Sequence, residues 1–146
     1  MDKSNNEKTL IVAHPDDEIL WFNPEEFDKI IIVFSNGYKE QERKNALAEH
    51  PLNVICWNLT ESNYWRDKSK IEEYNKNYNE VLERVAKLKT GSITTHNAYG
   101  EYGHTDHILV HNAVMEGANC PVNGKDPKLF KKIKQVYERH GAWTWY

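Results

Sequence analysis

Residues 9–18 read Thr-Leu-Ile-Val-Ala-His-Pro-Asp-Asp-Glu, and this stretch decides the fold that the sequence predicts. Residues 9–12 form a short apolar, β-branched run that predicts a buried first strand. A histidine and three acids follow directly, at the carboxyl end of a strand, where open α/β sheets bind their ligands. Carboxylates packed this closely repel one another, whereas a divalent cation favours their ionised forms. The stretch therefore predicts a metal site.

Spacing alone leaves the ligands within this turn open. His14 and Asp17 are three residues apart and would project to one side of a helical turn. Asp16 would point elsewhere, towards a water molecule at the metal, while Glu18 is an alternative ligand four residues from His14. A solvated acidic loop at a helix N-terminus, begun by Pro15, would explain the same residues without a metal.

Composition and charge narrow the class of protein. We expect residues 1–146 to form a single domain, since 146 residues suffice for one core. Hydrophobic residues make up 39% and aromatic residues 12% of the chain, so it should fold despite a mean hydropathy of -0.81. The net charge of -3 offers no basic stripe, and we expect no nucleic-acid partner.

Cysteines and apolar runs exclude other classes. Cys56 and Cys120 form no Cys-x-x-Cys pair, so neither a thiolate zinc cage nor a disulfide framework is indicated. The apolar runs are too short for a transmembrane helix, and residues 1–6 lack the apolar segment of a signal peptide. We therefore expect a cytoplasmic protein without a transmembrane segment.

Strand and helix patterns alternate along the rest of the chain. Further strands are predicted at residues 29–34, 54–59, 92–95 and 132–138, and helices at residues 40–49, 69–89 and 104–117. Residues 1–8 are expected to be flexible, 119–128 to be a loop and 139–146 to be an aromatic tail. This alternation predicts an α/β fold, a single Rossmann-like three-layer domain with a mainly parallel sheet of about five strands. No Gly-x-Gly-x-x-Gly turn follows the first strand, which argues against dinucleotide binding.

The segment His104-Thr105-Asp106-His107 predicts the second half of the site. His104 and His107 are three residues apart at a helix start and share a face. Asp106 can orient an imidazole as a supporting carboxylate. This pair follows another predicted strand end, in the layer that already holds His14. A zinc ion bound by two histidines and one aspartate, with one coordination position left for water, is typical of a catalytic rather than a structural site.

The other histidines carry weaker signals. His96 and Asn97 end the fourth predicted strand, a position that suits a substrate contact, although packing explains His96 equally well. We interpret His111 as a partly exposed helix residue, and His50 and His140 as surface residues.

Two motifs together carry a family resemblance. Ala13-His14-Pro15-Asp16-Asp17-Glu18 with Tyr102-Gly103-His104-Thr105-Asp106-His107 resembles the PIG-L/LmbE-like zinc-dependent N-deacetylases. The order and separation of the motifs fit that family, and the resemblance spans roughly residues 9–138.

The resemblance implies a role for each matching residue. His14, Asp17 and His107 would bind Zn²⁺, one ion per chain, and Asp16 would be the general base. Among the other implied site residues, His104 would stabilise charge or act as an acid, with Asp106 behind it, and Tyr102 would polarise the substrate carbonyl. Arg43, the nearest match to a helix arginine of the family, would contact the substrate. The same ligand set also suits Fe(II), Co(II) or Mn(II).

The implied activity is removal of an N-acetyl group from an amino sugar or an N-acetylglucosamine conjugate. Hydrolysis of another N-acyl amide is an alternative, as is a metal-dependent carbohydrate-binding module without turnover. Asp16 argues against the binding module, since binding needs no base. The chain departs from the family where Trp21-Phe22 replaces a common Gly-Gly and where little sequence follows the fifth predicted strand.

Overall fold

Five parallel strands form the centre of the computed structural model, which describes residues 6–124 and 127–142. The strands are β1 (Lys8–Val12), β2 (Lys29–Ile32), β3 (Val54–Cys56), β4 (Ser92–Thr95) and β5 (Val122–Gly124), in the sheet order β3-β2-β1-β4-β5. The helices are α1 (Asp17–Leu20), α2 (Glu40–Ala48), α3 (Ile71–Ala86), α4 (Gly100–Gly103), α5 (Thr105–Gly117) and α6 (Pro127–Arg139). The predicted α/β fold with a parallel sheet of about five strands is confirmed.

Both faces of the sheet are buried, because alternate strand residues face opposite sides. On one side Leu10, Val12, Ile30 and Ile32 form a small core that Leu47 of α2 helps to cover. On the other side a larger core joins the sheet to α3 and α5, and its strand and helix members include Ile11, Ile31, Ile93, Val81, Val85, Leu109, Val110 and Val114. This double burial explains why β1 and β2 read as continuous apolar runs.

The strand order positions the site. β1 pairs with β2 on one side and with β4 on the other, so the order of the sheet reverses between β1 and β4. Folds of this kind bind ligands in the crevice at that reversal, beyond the carboxyl ends of the strands. The turn after Val12 and the segment after Thr95 therefore lie side by side.

The last third of the chain differs from the prediction. The strand predicted at residues 132–138 is wrong, because helix α6 occupies Pro127–Arg139. Its apolar residues recur at helical rather than alternating spacing, at positions 129, 130, 133, 136 and 137. The fifth strand is instead Val122–Gly124, inside the predicted loop, where it pairs with β4. The end of the aromatic tail, residues 143–146, lies outside the described residues.

Other boundaries agree only in part with the prediction. β2 and β3 end at Ile32 and Cys56 rather than at residues 34 and 59, and α3 ends at Ala86 rather than at residue 89. β4 has the predicted limits, while α2 and α5 agree to within one residue. α3 begins later than predicted because a 3-10 turn at Lys68–Lys70 precedes it, where the Asp67 side chain accepts a hydrogen bond from the Ser69 N–H. Within the described part of the chain, no helix is both long and apolar enough to cross a membrane.

Candidate active site

A tight turn after β1 separates the neighbouring aspartates. Asp16 adopts a left-handed conformation with φ of 83°, and α1 begins at the next residue. The main-chain N–H of His14 donates a hydrogen bond of 2.8 Å to Oδ2 of Asp17, which turns this carboxylate inwards. Asp16 stays exposed and lines the adjacent cavity. The turn thus gives the two aspartates different surroundings, as the spacing predicted.

His14, Asp17 and His107 come together as a buried cluster. Asp17 Oδ2 lies 3.4 Å from His14 Nδ1 and 3.2 Å from His107 Nε2. One nitrogen or oxygen atom from each residue lies within 4.8 Å of the other two, which is a spacing that could hold a metal ion. The exposed fractions are 7% for His14, 4% for Asp17 and 0% for His107. The structure therefore brings together the three residues that the resemblance implied as ligands.

The charges of this cluster favour a cation. Burial alone would lower the pKa of His14, but its contacts with Asp106 and Asp17 raise that pKa to about 10. The pKa of His107 is also raised, because its contacts with Asp17 and Glu101 outweigh burial, while the Asp17 carboxyl pKa is lowered by the two imidazoles against its own burial. A divalent cation replacing one proton on each imidazole would leave the net charge unchanged.

Glu101 is a buried residue that the sequence patterns missed. Its Oε1 lies 2.7 Å from Nδ1 of His96 and 3.1 Å from Nδ1 of His107. Although burial would raise the pKa of Glu101, these two histidines lower it to about 2. Two glycines flank the Glu101-Tyr102 pair, and Glu101 has a positive φ of 63°. A positive φ at a glutamate is the local signal, but it appears only in the structure.

His96 and Asn97 face the interior. Nε2 of His96, which is fully buried, accepts a hydrogen bond of 2.9 Å from the Ala13 N–H. Asn97 Oδ1 accepts hydrogen bonds from the N–H groups of Tyr99 and Glu101. Neither residue lines the cavity, so the structure favours packing for His96 and a turn-forming role for Asn97 over the expected substrate contacts.

Nδ1 of His111 lies 2.7 Å from the main-chain carbonyl oxygen of His96. His111 is half-buried, in line with the prediction of a partly exposed helix residue.

His104 is the N-cap residue of α5 and lines the cavity. Its Nδ1 accepts a hydrogen bond of 3.0 Å from the Asp106 N–H, while the Asp106 carboxylate contacts His14 instead. The expected arrangement, with the Asp106 carboxylate behind the His104 ring, is therefore not what the structure has. Burial, together with the His14 imidazole, lowers the pKa of His104 to about 3. His104 is a neutral ring whose Nε2–H can donate.

Aromatic rings form one wall of the cavity. Trp65 stacks on His104 with ring centroids 4.8 Å apart and an interplanar angle of 10°. The ring centroid of Tyr102 lies 6.1 Å from that of Trp65 and 5.8 Å from that of Trp21. Burial and the nearby carboxylates of Asp17 and Asp16 raise the pKa of Tyr102 to about 12, so its phenol keeps its proton at neutral pH. Trp65 carried no sequence signal, because it lies in a loop without a motif.

Charged residues also line the cavity. Arg43 on α2 donates a hydrogen bond of 2.8 Å to Glu61 Oε1, and this oxygen lies 3.4 Å from His14 Nε2. His50 lies 3.7 Å from the buried Glu18 carboxylate, with 16% of its side chain exposed. His50 is thus a cavity residue, which corrects its assignment to the surface. Arg43 lies at the cavity as expected, whereas Glu61 was not predicted.

A cavity of about 820 Å³ connects these groups. Its lining includes Asp16, Asp17 and His14 at the base, with Tyr102 and His104 beside them. A volume of this order accommodates a small ligand of one or two sugar rings. The predicted base, two of the three predicted metal ligands and the predicted donors therefore share one solvent-accessible space.

Comparison with known proteins adds one relative. No family model matches the chain. The chain is similar to a protein of Acanthamoeba polyphaga mimivirus named "Uncharacterized protein L374", with 28% identity over 164 aligned positions. The alignment covers 90% of this chain and 71% of the viral protein. That name states no activity, so the chemistry of the site is the basis for a functional conclusion.

Proposed function

We propose that the chain is a zinc-dependent hydrolase that removes an N-acetyl group from an amino sugar or an N-acetylglucosamine conjugate. The observation that supports this most strongly is the buried cluster of His14, Asp17 and His107, of which His14 and Asp17 also line the cavity. The same cavity presents an exposed carboxylate, that of Asp16. A metal-binding group beside an available base is the arrangement that metal-assisted hydrolysis needs.

The donor set fits zinc. Two imidazoles and one carboxylate are a common catalytic zinc set, and their potential ligand atoms already lie within 4.8 Å of one another. Asp106 and Glu101 support the imidazoles of His14 and His107 from behind. Bound zinc would act as a Lewis acid, lowering the pKa of a water molecule and polarising the acyl carbonyl.

Asp16 would take the proton of the attacking water on its carboxylate. Partial desolvation by the cavity walls, together with the adjacent Asp17 carboxylate, raises the pKa of Asp16, which makes it a stronger base than an ordinary surface aspartate. Its exposed position at the cavity leaves it within reach of water, in contrast to the enclosed Asp17.

Tyr102 and His104 would stabilise the negative charge that develops on the carbonyl oxygen. Tyr102 keeps its phenolic proton, and a neutral His104 carries its proton on Nε2 because Nδ1 is an acceptor. Both groups therefore serve as hydrogen-bond donors rather than as fixed cations. Proton delivery to the departing amine would come from protonated Asp16, which has just received that proton.

The aromatic wall supports a sugar as the leaving part of the substrate. Sugar rings have apolar faces that pack on aromatic rings, and Trp21, Trp65 and Tyr102 offer three such rings beside the proposed donors.

Acetate release from a panel of free, nucleotide-linked and lipid-linked N-acetylated sugars tests the proposal. The zinc-loaded chain should release acetate and a free amine from at least one member, and the chelator-treated chain should release none. The His107→Ala variant, which lacks one proposed zinc ligand, serves as the control for contaminating activity. Stoichiometric zinc without acetate release from any N-acetyl sugar would reject this function.

Hydrolysis of another N-acyl amide is the second candidate, and two apolar residues favour it. Ile19 and Leu20 line the cavity although they are 64% and 61% exposed. Such residues would suit an acyl chain longer than acetyl. Comparing N-acetyl-, N-butanoyl- and N-octanoylglucosamine separates the candidates, because a preference for octanoyl would favour the second one.

A further inference from the structure

Glu101 makes one carboxylate serve two imidazoles. Its Oε1 lies 2.7 Å from Nδ1 of His96 and 3.1 Å from Nδ1 of His107. The two rings stack with centroids 4.0 Å apart and an interplanar angle of 14°. Glu101 is 6% exposed, and both histidines are fully buried. The Glu101 carboxylate therefore contacts both imidazoles directly.

The contacts of His96 specify where its proton lies. Its Nε2 accepts a hydrogen bond from the Ala13 N–H, and a ring nitrogen that accepts has no proton of its own. A neutral His96 therefore carries its proton on Nδ1, which faces the Glu101 carboxylate. His96 thereby connects the end of β1 to Glu101.

The same reasoning applies to His107. An ionised carboxylate only accepts hydrogen bonds, so the Nδ1 atom of His107 that contacts Glu101 must be the donor. The neutral ring then has its lone pair on Nε2, the atom that lies 3.2 Å from Asp17 Oδ2. In that tautomer the unprotonated Nε2 atom lies beside Asp17, where it could bind a metal ion together with Asp17 and His14.

The position of the Glu101 carboxylate is itself specified. Its Oε2 accepts the Asn97 N–H at 3.1 Å, and its own N–H donates to Asn97 Oδ1 at 2.9 Å. The backbone at Glu101 has a φ of 63°, a conformation that persists only where the surroundings impose it. A glycine would relieve this strain but would remove the only acid within reach of both Nδ1 atoms among the described residues.

We infer that Glu101 is a positioning residue that fixes His107 as the Nδ1–H tautomer, so that Nε2 is available to bind a metal. The inference rests on the metal-binding role proposed for His107, and not on the identity of the substrate. His96, positioned by its hydrogen bond from the Ala13 N–H and with Nδ1 2.7 Å from the same oxygen, packs against the Glu101 carboxylate as a second support.

Zinc affinity measured by competition with a chromophoric chelator tests this role. In Glu101→Gln the carbonyl oxygen can replace only one carboxylate oxygen, so the amide NH2 group must face either the two Nδ1 atoms or the Asn97 N–H. The zinc Kd should therefore rise 10- to 100-fold. Glu80→Gln removes the same charge from an exposed position on α3 and should leave the Kd unchanged. Thermal unfolding of both chelator-treated variants shows whether they are folded.

Nitrogen-15 NMR of the histidine rings shows which ring nitrogen carries the proton, and a purely structural role of Glu101 would not change this. In the zinc-loaded wild-type chain, His96 and His107 should both carry a proton on Nδ1 and none on Nε2. In folded Glu101→Gln, His107 should show a mixture of tautomers. A proton on Nε2 of His96 or His107 in the zinc-loaded wild type would overturn the inference without any variant.

Other outcomes separate this inference from the proposed function. A weakened zinc Kd in Glu101→Gln, with no deacetylation by any form, supports the positioning role and rejects the N-deacetylase. An unchanged Kd in folded Glu101→Gln overturns the positioning role and leaves the activity assay to decide the function. Two zinc ions per wild-type chain, falling to one in Glu101→Gln, would make Glu101 a ligand with His96 and His107 and would also overturn it.

Discussion

Oδ2 of Asp106 lies 2.9 Å from Nε2 of His14, although 92 residues separate them in the chain. This contact joins the acidic turn after β1 to the first turn of α5, and it leaves the Asp106 carboxylate 5% exposed. The two halves of the site are therefore coupled directly, through a charge-assisted hydrogen bond between buried groups. Changes in either half should affect the other.

Loss of His107 should abolish metal binding. His107→Ala removes one of three proposed ligands from a fully buried position, and a pair of remaining ligands binds zinc far more weakly. Elemental analysis after gel filtration should find less than stoichiometric zinc in a chain that still unfolds cooperatively. His140→Ala, at an exposed position after α6, is the matched control. Full zinc retention in His107→Ala would rule out this ligand set.

Asp16→Asn should separate chemistry from metal binding. The amide keeps the shape of the side chain but cannot accept a proton at neutral pH, so kcat should fall by about 10²–10⁴ with little change in KM. Zinc content should stay stoichiometric, since Asp16 lies outside the buried cluster. Glu49→Gln, an exposed change of equal charge, should behave as wild type. Normal turnover in Asp16→Asn would mean that another group is the base.

Loss of the Trp65 ring should lower kcat, because this ring stacks on His104 and helps to orient it. Trp65→Ala removes the partner that stacks on His104, and aromatic pairs contribute about 0.5–1.5 kcal/mol, so kcat should fall by about 2- to 10-fold. Trp65→Phe keeps a ring and should recover most of the loss. The comparison is made on the smallest active substrate, so that lost sugar contacts contribute least. Equal kcat values in the two variants would argue against an orienting role.

Acid should destabilise the fold partly through Glu101. Its pKa is lowered to about 2 from an ordinary value of 4.5, so the folded state favours the ionised carboxylate. Its contribution is present above about pH 4.5 and is lost as pH falls from there towards 2, with a magnitude on the order of 3 kcal/mol.

Urea unfolding of the chelator-treated chain at pH 5.5 and pH 3.5 measures this effect. Wild type should lose more stability between these pH values than Glu101→Gln, which has no carboxyl group to protonate at this position. Glu80→Gln again controls for the change in charge. Parallel losses in wild type and Glu101→Gln would contradict the assignment.

Local patterns account for the parts of the fold and site that could be predicted. The burial of β1, the acidic turn and the histidine pair of α5 all follow from short-range spacing, and the structure has them where they were expected. Glu101 could not be found this way, because its importance depends on His96 and His107, which meet it only after β4 and α5 have packed.

Two further failures have different physical causes. The sequence predicts a strand within α6 because seven residues of a helical repeat are too few to distinguish it from weak alternation. β5 has only three residues, one of them Gly124, and its strand conformation depends on pairing with β4 rather than on propensity. A strand whose conformation depends on a partner distant in sequence cannot be predicted from its own residues alone.

The position of β1 between β2 and β4 has a consequence during synthesis on the ribosome. β2 can pair with β1 soon after both emerge, but β4 follows only after residue 91. Until then, the other edge of β1 presents unpaired backbone groups, which are a template for association with other chains. A nascent chain that stalls before Ser92 should therefore aggregate more readily than one that has been extended past Thr95.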